Sequence, residues 1–351
     1  MATVLVSLIS RQPMPNYIGA RVVMPDKMIY FVTPQEGVTM EYLQSVLQLP
    51  FETKTVHAFD FQSIREAFRQ VIQQYKGEHL ILNLTGGTKI MALSAFDIAR
   101  ENAIPAIYVN TAENKLIHLQ GSQIHGEKIP EVVDVPTYLK LHGHQFLASA
   151  SPTHPQLAGF IGENIQSLKS LLLHLRGIEP QKPYRLPGAL SPKQRQLIQR
   201  LNEMGLLRFD AARAQVICRS TEHLQFIKGG WLEEYVFLQL QRGKPHDIRL
   251  NVKVSWKNSN SEKKESKNEF DIMLIHGNQL HIFECKSGKK AVNDIHRLEA
   301  LWEIVGGTYG IAYYVFTGQV DRIIRERIHD FKELRVVGEE EVKKIAEMVF
   351  N

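Results

Sequence analysis

The sequence predicts an α/β protein with two separate cores joined by a small, winged-helix-like connector. Short β-branched and aromatic runs alternate with helical patterns over the first 148 residues, a Pro-punctuated segment follows, and a second alternation opens near residue 225. At 351 residues the chain has room for two or three domains, and a hydrophobic share of 44% is ordinary for a globular protein. The run MATVLVSLIS lacks a basic leader and reads as a buried first strand, and no stretch approaches the roughly 20 apolar residues of a membrane span. Two cysteines, Cys218 and Cys285, support neither a disulfide framework nor a four-thiol zinc site and fit a reducing cytoplasm. A net charge of +5 mildly favours polyanionic partners without identifying one.

In order along the chain, residues 2–9, 28–33, 54–59, 79–84 and 104–109 read as strands. Between them, Ser63 to Tyr75 places Ile64, Ala67, Phe68, Val71, Ile72 and Tyr75 on one stripe, and Ser63 with Glu66 has the spacing of a capping box. Such alternation implies a mostly parallel sheet, which binds ligands beyond the carboxyl ends of its strands, here segments 10–16, 33–37, 85–89 and 110–114. This domain is expected to span 1–148. The small, polar stretch Ala148 to Pro155 reads as a linker into a connector at 149–222. There, Gly159 to Arg176 and Pro192 to Met204 are helical, and GLLRFDAARAQVICRS follows as a turn and hairpin. Lys193, Arg195, Arg200, Arg208, Arg213 and Arg219 outnumber Glu203 and Asp210, which suits DNA binding, or simply a solvated connector or dimerisation element. The last domain, 223–351, reads as a helix (Trp231 to Gln241), strands at 247–256, 269–275 and 279–285, a helix at 292–305 and a strand at 309–316.

The hairpin 269–285 carries the chemistry. Side chains alternate across a strand, so Glu284 and Lys286 share one face while Phe283 and Cys285 take the other. Asp271 lies on the partner strand, with Glu269 on its face. Hard divalent cations take carboxylate and carbonyl oxygens, so Asp271, Glu284 and the Cys285 backbone carbonyl form a candidate Mg²⁺ or Mn²⁺ site, and Lys286 would orient water or steady developing negative charge. E-x-K alone is far more often a surface ion pair. The apolar context FDIMLI and LHIFECK argues instead for buried charges that need a partner. Lys253, Lys257, Lys263, Lys264, Lys267, Lys289 and Lys290 could track phosphates or belong to a solvated loop, and Trp256 could stack on a base or pack internally.

These residues resemble the PD-(D/E)XK nuclease superfamily: Glu269-Phe270-Asp271, then Glu284-Cys285-Lys286, preceded by KGGWLE at 228–233. The resemblance implies a catalytic set of Asp271, Glu284, Lys286 and the helical Glu233, with Glu234 as its rival. The proline of the superfamily's name is absent here.

The first domain holds a second motif. Strand 80–84 runs into Thr85-Gly86-Gly87-Thr88-Lys89 and a helix with Ile90, Leu93, Ala95, Phe96 and Ile98 toward the core. Glycines at a helix amino terminus let amides approach an anion, and Thr88 and Lys89 add a hydroxyl and a charge. Neither the P-loop nor the dinucleotide fingerprint is present. N-L-T-G-G-T-K ahead of a nuclease resembles the CARF domain, and the ordered whole resembles the CARF–nuclease family of CRISPR ancillary effectors. That resemblance implies a homodimeric, cytoplasmic DNA or RNA endonuclease that cyclic tetra-adenylate activates. The ring would meet Ser10, Arg11, Gln12 and Asn16 after the first strand and Thr85 to Lys89, with Thr33 after the second strand and Asn110 after the last as weaker candidates that serve as well as ordinary turn residues. A reading of another class is a ligand-responsive DNA-binding regulator whose carboxylates are structural.

Overall fold

The computed structural model describes residues 1–120, 123–256, 266–288, 292–318 and 333–350. In the amino-terminal domain β1 (Thr3–Leu8), β2 (Lys27–Val32), β3 (Phe51–Thr55), β4 (His79–Asn83) and β5 (Ala106–Asn110) run parallel. The hairpin of β6 (Lys115–Gln120) and β7 (Gln123–Lys128) extends the sheet antiparallel, giving the order β3-β2-β1-β4-β5-β6-β7. Helices α1 (Met14–Val23), α2 (Gly37–Leu47), α3 (Phe61–Gln74) and α4 (Lys89–Glu101) connect the parallel strands. From β1 the chain moves outward to β2, whereas from β4 it moves the other way to β5. The crevice at the carboxyl ends of β1 and β4 is therefore the switch point of the sheet, where no crossover helix blocks access.

Three local expectations change. The third strand is 51–55 rather than 54–59, because after the Val56 amide reaches the Val32 carbonyl (3.0 Å) the chain turns. Asp60, not Ser63, caps α3 by accepting from the Ser63 amide at 3.0 Å, so the helix starts earlier than the Ser-x-x-Glu spacing suggested. Leu93, expected in the core, is 58% exposed, while Ala95 and Ile98 are buried.

After α5 (Val135–Leu141) comes β8 (His144–Ala150), then α6 (Pro155–Glu163) and α7 (Ile165–Leu175), which divide the single helix expected over 159–176. The connector proper holds β9 (Tyr184–Arg185), α8 (Pro192–Glu203), β10 (Arg208–Asp210) and β11 (Gln215–Ile217), a helix with a three-stranded wing. In α8 the Ser191 and Gln194 capping box is complete.

Past α9 (Thr221–Gln225) and α10 (Trp231–Gln241), the second sheet contains β12 (Asp247–Trp256), β13 (Ser266–His276), β14 (Gln279–Lys286), β15 (Ile311–Phe316) and β16 (Leu334–Val337). Its order is β16-β15-β14-β13-β12-β8. The domain limit expected near 148 thus runs through a strand: β8, part of which reads as a linker, pairs antiparallel with β12 from Val254↔Phe146 to Leu250↔Ala150. Small side chains in ASAS do not prevent pairing at an edge, where only one ladder is needed.

Both faces of this second sheet are covered, which is why its strands read as continuous apolar runs. One face packs on α6, α7 and α10, through Leu157, Leu168 and Trp231. On the other, Val252, Phe270, Ile282 and Tyr314 share a cluster with Leu5, Tyr30 and Leu139 of the first domain. Polar clasps fasten the same contact. Asn278, in the left-handed conformation at the β13–β14 turn (φ 59°), donates to Asn114 Oδ1 (2.8 Å) and accepts from the Val132 amide (2.8 Å). Tyr138 Oη donates to the Gly306 carbonyl (2.7 Å) in the turn leading into β15.

Beneath that turn lies His142, stacked on Tyr138 and half-buried with its Nε2 shielded from solvent, so desolvation lowers its pKa to about 4. As pH falls below 6.5 the unfolded chain takes up this proton first, so the stability is complete above 6.5 and is lost on the way down to about 4. Denaturation midpoints measured across that window should fall with acidity, and His142→Gln should flatten part of the slope. An unchanged slope would place the titration elsewhere.

Candidate active site and ligand crevice

The acid-bearing hairpin is held in register by the pairs Ile272↔Phe283 and Met273↔Ile282, which set Asp271 beside Glu284 across the ladder. The Cys285 amide donates to Asp271 Oδ2 at 2.6 Å, so the backbone of β14 aims the carboxylate. Lys286 Nζ lies 2.5 Å from Glu284 Oε1 and 3.9 Å from Asp271 Oδ2. Glu233 arrives on the first turn of α10, after a π-turn at Phe226–Gly230 that carries the KGG segment past Ser287. Gly229 has little room for a side chain there, since a Cβ would stand 3.3 Å from Ser287 Oγ.

Electrostatics bind these residues into one unit. Burial first, then the charges of Glu284 and Glu233, push Asp271 up to about 8. Burial raises Glu233 to about 7; Lys286 opposes this, and Glu284, Glu269 and Glu234 add to it. Burial alone would weaken the Lys286 ammonium, but Asp271 and Glu284 outweigh that and raise it. One lysine thus offsets three acids in a low-dielectric site, an arrangement that favours a further cation. Among the described residues no three carboxylate, thiol or imidazole groups already converge as metal ligands, and Lys286 pairs with Glu284 and Asp271 instead. The donor set of hard oxygens suits Mg²⁺ or Mn²⁺.

The rivalry between Glu233 and Glu234 has a geometric answer. Glu234 accepts from Thr153 N (2.7 Å), Thr153 Oγ1 (2.6 Å) and His154 N (2.9 Å), so its carboxylate is spent fastening α10 to the start of α6. Both glutamates border a cleft of about 1030 Å³ with Asp271, Glu269, Lys228, His154 and His223, but only Glu234 is held there by Thr153 and His154. Lys228 opens the KGGWLE segment quoted from the sequence, whereas the two histidines come from segments whose placement only the fold reveals. Trp256 packs edge-on against His144 and Phe270. Lys257, Lys263 and Lys264, the side chain of Lys267, and Lys289 and Lys290 lie outside the described residues.

At the other site, the loops after β1 and β4 interlock. Gly86 is buried with its Cα against the Leu8 carbonyl, where a Cβ would overlap the oxygen, and Gly87 has φ 72°. Thr88 caps α4, accepting from the Met91 amide (3.2 Å) and donating to the Ala58 carbonyl (2.6 Å). This leaves the first-turn amides of Lys89 and Ile90 for a ligand, with the Lys89 side chain exposed beside them. Thr85 Oγ1 donates to Asn83 Oδ1 (2.7 Å) and accepts from the Val109 amide (2.7 Å), so it braces the loop. Ser10 is half-buried at the crevice, and the exposed Arg11 faces Glu36 at 3.6 Å. Asn16 is fully buried, donating to the Leu8 carbonyl (3.0 Å), and Thr33 is buried at the end of β2. Gln12 turns toward the second domain, where its Oε1 accepts from the Thr308 amide at 3.4 Å. Asn110 accepts from the Glu113 amide (3.2 Å) in its turn.

Comparison with known proteins agrees with both halves. Residues 4–138 match the family model described as the Card1 CARF domain, and residues 220–351 match the Card1-like endonuclease domain. The chain belongs to the Card1-like CARF endonucleases. The crevice lies within the region matched by the CARF model, and the carboxylate cluster lies within the region matched by the endonuclease model. The fold of this CARF endonuclease is similar to that of protein VC1899 from Vibrio cholerae, at TM-score 0.85 and 20% identity over 99% of this chain and 97% of that one. It is also similar to Can2 from Sulfobacillus thermosulfidooxidans in complex with cyclic tetra-adenylate, at TM-score 0.82 and 22% identity over 99% of both chains. A type III CRISPR defence DNA nuclease activated by cyclic oligoadenylate matches at TM-score 0.58 and 15% identity, over 95% of this chain and 48% of that one. No curated protein sequence is significantly similar. Among the described residues no helix is long and apolar enough to cross a membrane.

Proposed function

We propose that this CARF endonuclease is a homodimeric, cytoplasmic effector of type III CRISPR defence that cyclic tetra-adenylate activates to hydrolyse phosphodiester bonds in DNA, RNA or both. The observation that carries the reading is the hairpin of β13 and β14: it holds Asp271, Glu284 and Lys286 at one end and is clasped by the sensor through Asn278 at the other. The solved relatives add the ligand class, since Can2 was captured with cyclic tetra-adenylate and another is named for its activation by cyclic oligoadenylate.

Asp271, Glu284 and the Cys285 carbonyl would hold a Mg²⁺ or Mn²⁺ ion, with Glu233 as an additional acid. That ion, when bound, supplies Lewis acidity and charge neutralisation. Lys286 faces the same space and steadies negative charge developing on the phosphoryl oxygens or orients the attacking water. Asp271 is aimed by the Cys285 amide, so the carboxylate needs no reorganisation as the reaction proceeds.

A cyclic tetranucleotide with two-fold symmetry suits a dimer that presents the β1 and β4 loops twice. Exposed Phe59, Phe61 and Leu93, close to the LTGGTK loop, provide an apolar rim for such pairing. Activation requires that the ring favour one arrangement of the pair over the other. Against the regulator reading, Arg200 and Lys193 of α8 lie 4.2 Å and 5.5 Å over the Phe160 ring and Arg195 donates to the Leu190 carbonyl, so these three side chains already have partners within the connector.

The deciding experiment incubates the protein and Mn²⁺ with labelled single-stranded DNA, RNA and supercoiled plasmid, with and without cyclic tetra-adenylate, beside Glu284→Ala. Cleavage that needs the ring and disappears in the variant is expected. Ring binding without cleavage under any condition would return the balance to the regulator.

A further inference from the structure

We propose that Arg176, at the end of α7, is a substrate-binding residue of the nuclease that contacts a backbone phosphate flanking the phosphodiester to be cut. This rests on the reading of the chain as a nuclease acting on nucleic acid. Arg176 belongs to the connector side of the chain, yet its guanidinium reaches the segment immediately after Lys286.

The seat is built from several directions. Arg176 Nη2 donates to Ser287 Oγ at 2.8 Å, and Ser287 Oγ in turn donates to the Lys228 carbonyl at 2.7 Å. Thr317 Oγ1 holds the Ser287 carbonyl at 2.9 Å, and the Thr317 amide reaches the Lys286 carbonyl at 3.2 Å. Gly288 lets the guanidinium approach the backbone closely, because a Cβ there would overlap its Nη1. Ser287 thus joins the end of β14 to the KGG segment that leads to Glu233, and Arg176 is fixed to that junction.

The charge of Arg176 is what a strut would not need. Burial lowers its pKa with no carboxylate to offset the cost, and among the described residues no acid stands within ion-pair range. A half-buried guanidinium without an anion is an unfavourable ground state, and a planar fork beside a nuclease centre matches the two oxygens of a phosphate. Its neighbours at the centre are an excess of carboxylates, which repel the substrate's backbone until cations balance them. Arg176, bonded to the residue that follows Lys286, adds positive charge beyond that lysine, on the side proposed for a flanking phosphate.

The test uses the full chain carrying Glu284→Gln, so that substrate is bound but not cut, with cyclic tetra-adenylate and Mn²⁺ present. Binding of labelled single-stranded oligonucleotides, one DNA and one RNA, is measured by anisotropy at several salt concentrations. Adding Arg176→Gln keeps a side-chain donor for Ser287 and removes the charge. It should weaken binding by about tenfold and reduce the slope of log affinity against log salt by about 0.7, with the thermal midpoint unchanged. Arg176→Lys should retain the slope. Absence of binding by the parent protein would overturn the nuclease reading and this inference with it. Binding by the parent, with the same affinity and slope in Arg176→Gln, would overturn the inference alone, as would a loss of binding matched by a loss of fold.

Discussion

Glu284→Gln is expected to reduce cleavage by about 10³-fold or more while leaving the protein folded. The amide keeps the size of the carboxylate and an oxygen that can still accept from Lys286, so the packing around β14 has little reason to change. What it loses is charge. Glu284 is the largest charged contributor, after burial itself, to the raised pKa of Asp271. Removing it lets Asp271 ionise more readily and relieves repulsion in the metal-free protein. The site then keeps its shape but loses an anionic donor for the cation. Initial rates with saturating Mn²⁺, read beside a thermal melt, separate the two effects. Cleavage within tenfold of the unmodified protein would move the chemistry off this hairpin. Lys286→Ala is the less clean probe, since it strands Asp271 and Glu284 as buried acids without a counter-charge.

Gly86→Ala should have the second largest effect, on the sensor. A methyl group at this position cannot coexist with the Leu8 carbonyl, so either β1 or the loop after β4 must move, and those two loops form the crevice. Binding of cyclic tetra-adenylate, followed by titration calorimetry, is expected to weaken about 100-fold or more, given that misplaced polar partners cost several kcal/mol in sum. Gly159→Ala is the control, because its Cβ would enter open space on α6 and should be neutral or slightly stabilising. Normal ring affinity in Gly86→Ala would show that the ligand does not use this crevice.

Much of this was legible before any coordinates. Trp231 to Gln241 is a helix with the expected bounds, and the D and E-x-K residues meet across one ladder because strand alternation and a two-residue turn leave few other registers. What sequence could not supply was competition between distant groups. Ser63 has the pattern of a cap, but Asp60 reaches the free amide first. The resemblance prefers Glu233 with Glu234 as its rival, and only the arrival of Thr153 and His154 commits the second to a structural duty. Asn16 looks like a loop donor until α1 buries it. Gln12 reads as a ligand residue, yet it is turned to the Gly307–Thr308 turn that sequence placed in another domain.

The pairing of β8 with β12 carries a consequence for how such proteins diversify. The endonuclease family match begins at 220, but a fragment cut there would lack the outermost strand of its sheet and expose the bare backbone of β12 to self-association. A recombination event that exchanges sensors must therefore cross over before residue 144, so that β8 travels with the sheet it completes. Even then the incoming sensor must present its own equivalents of Asn114 and the Val132 amide to the turn at Asn278. Sensor and effector in this chain are separable by sequence match but fit each other as a pair.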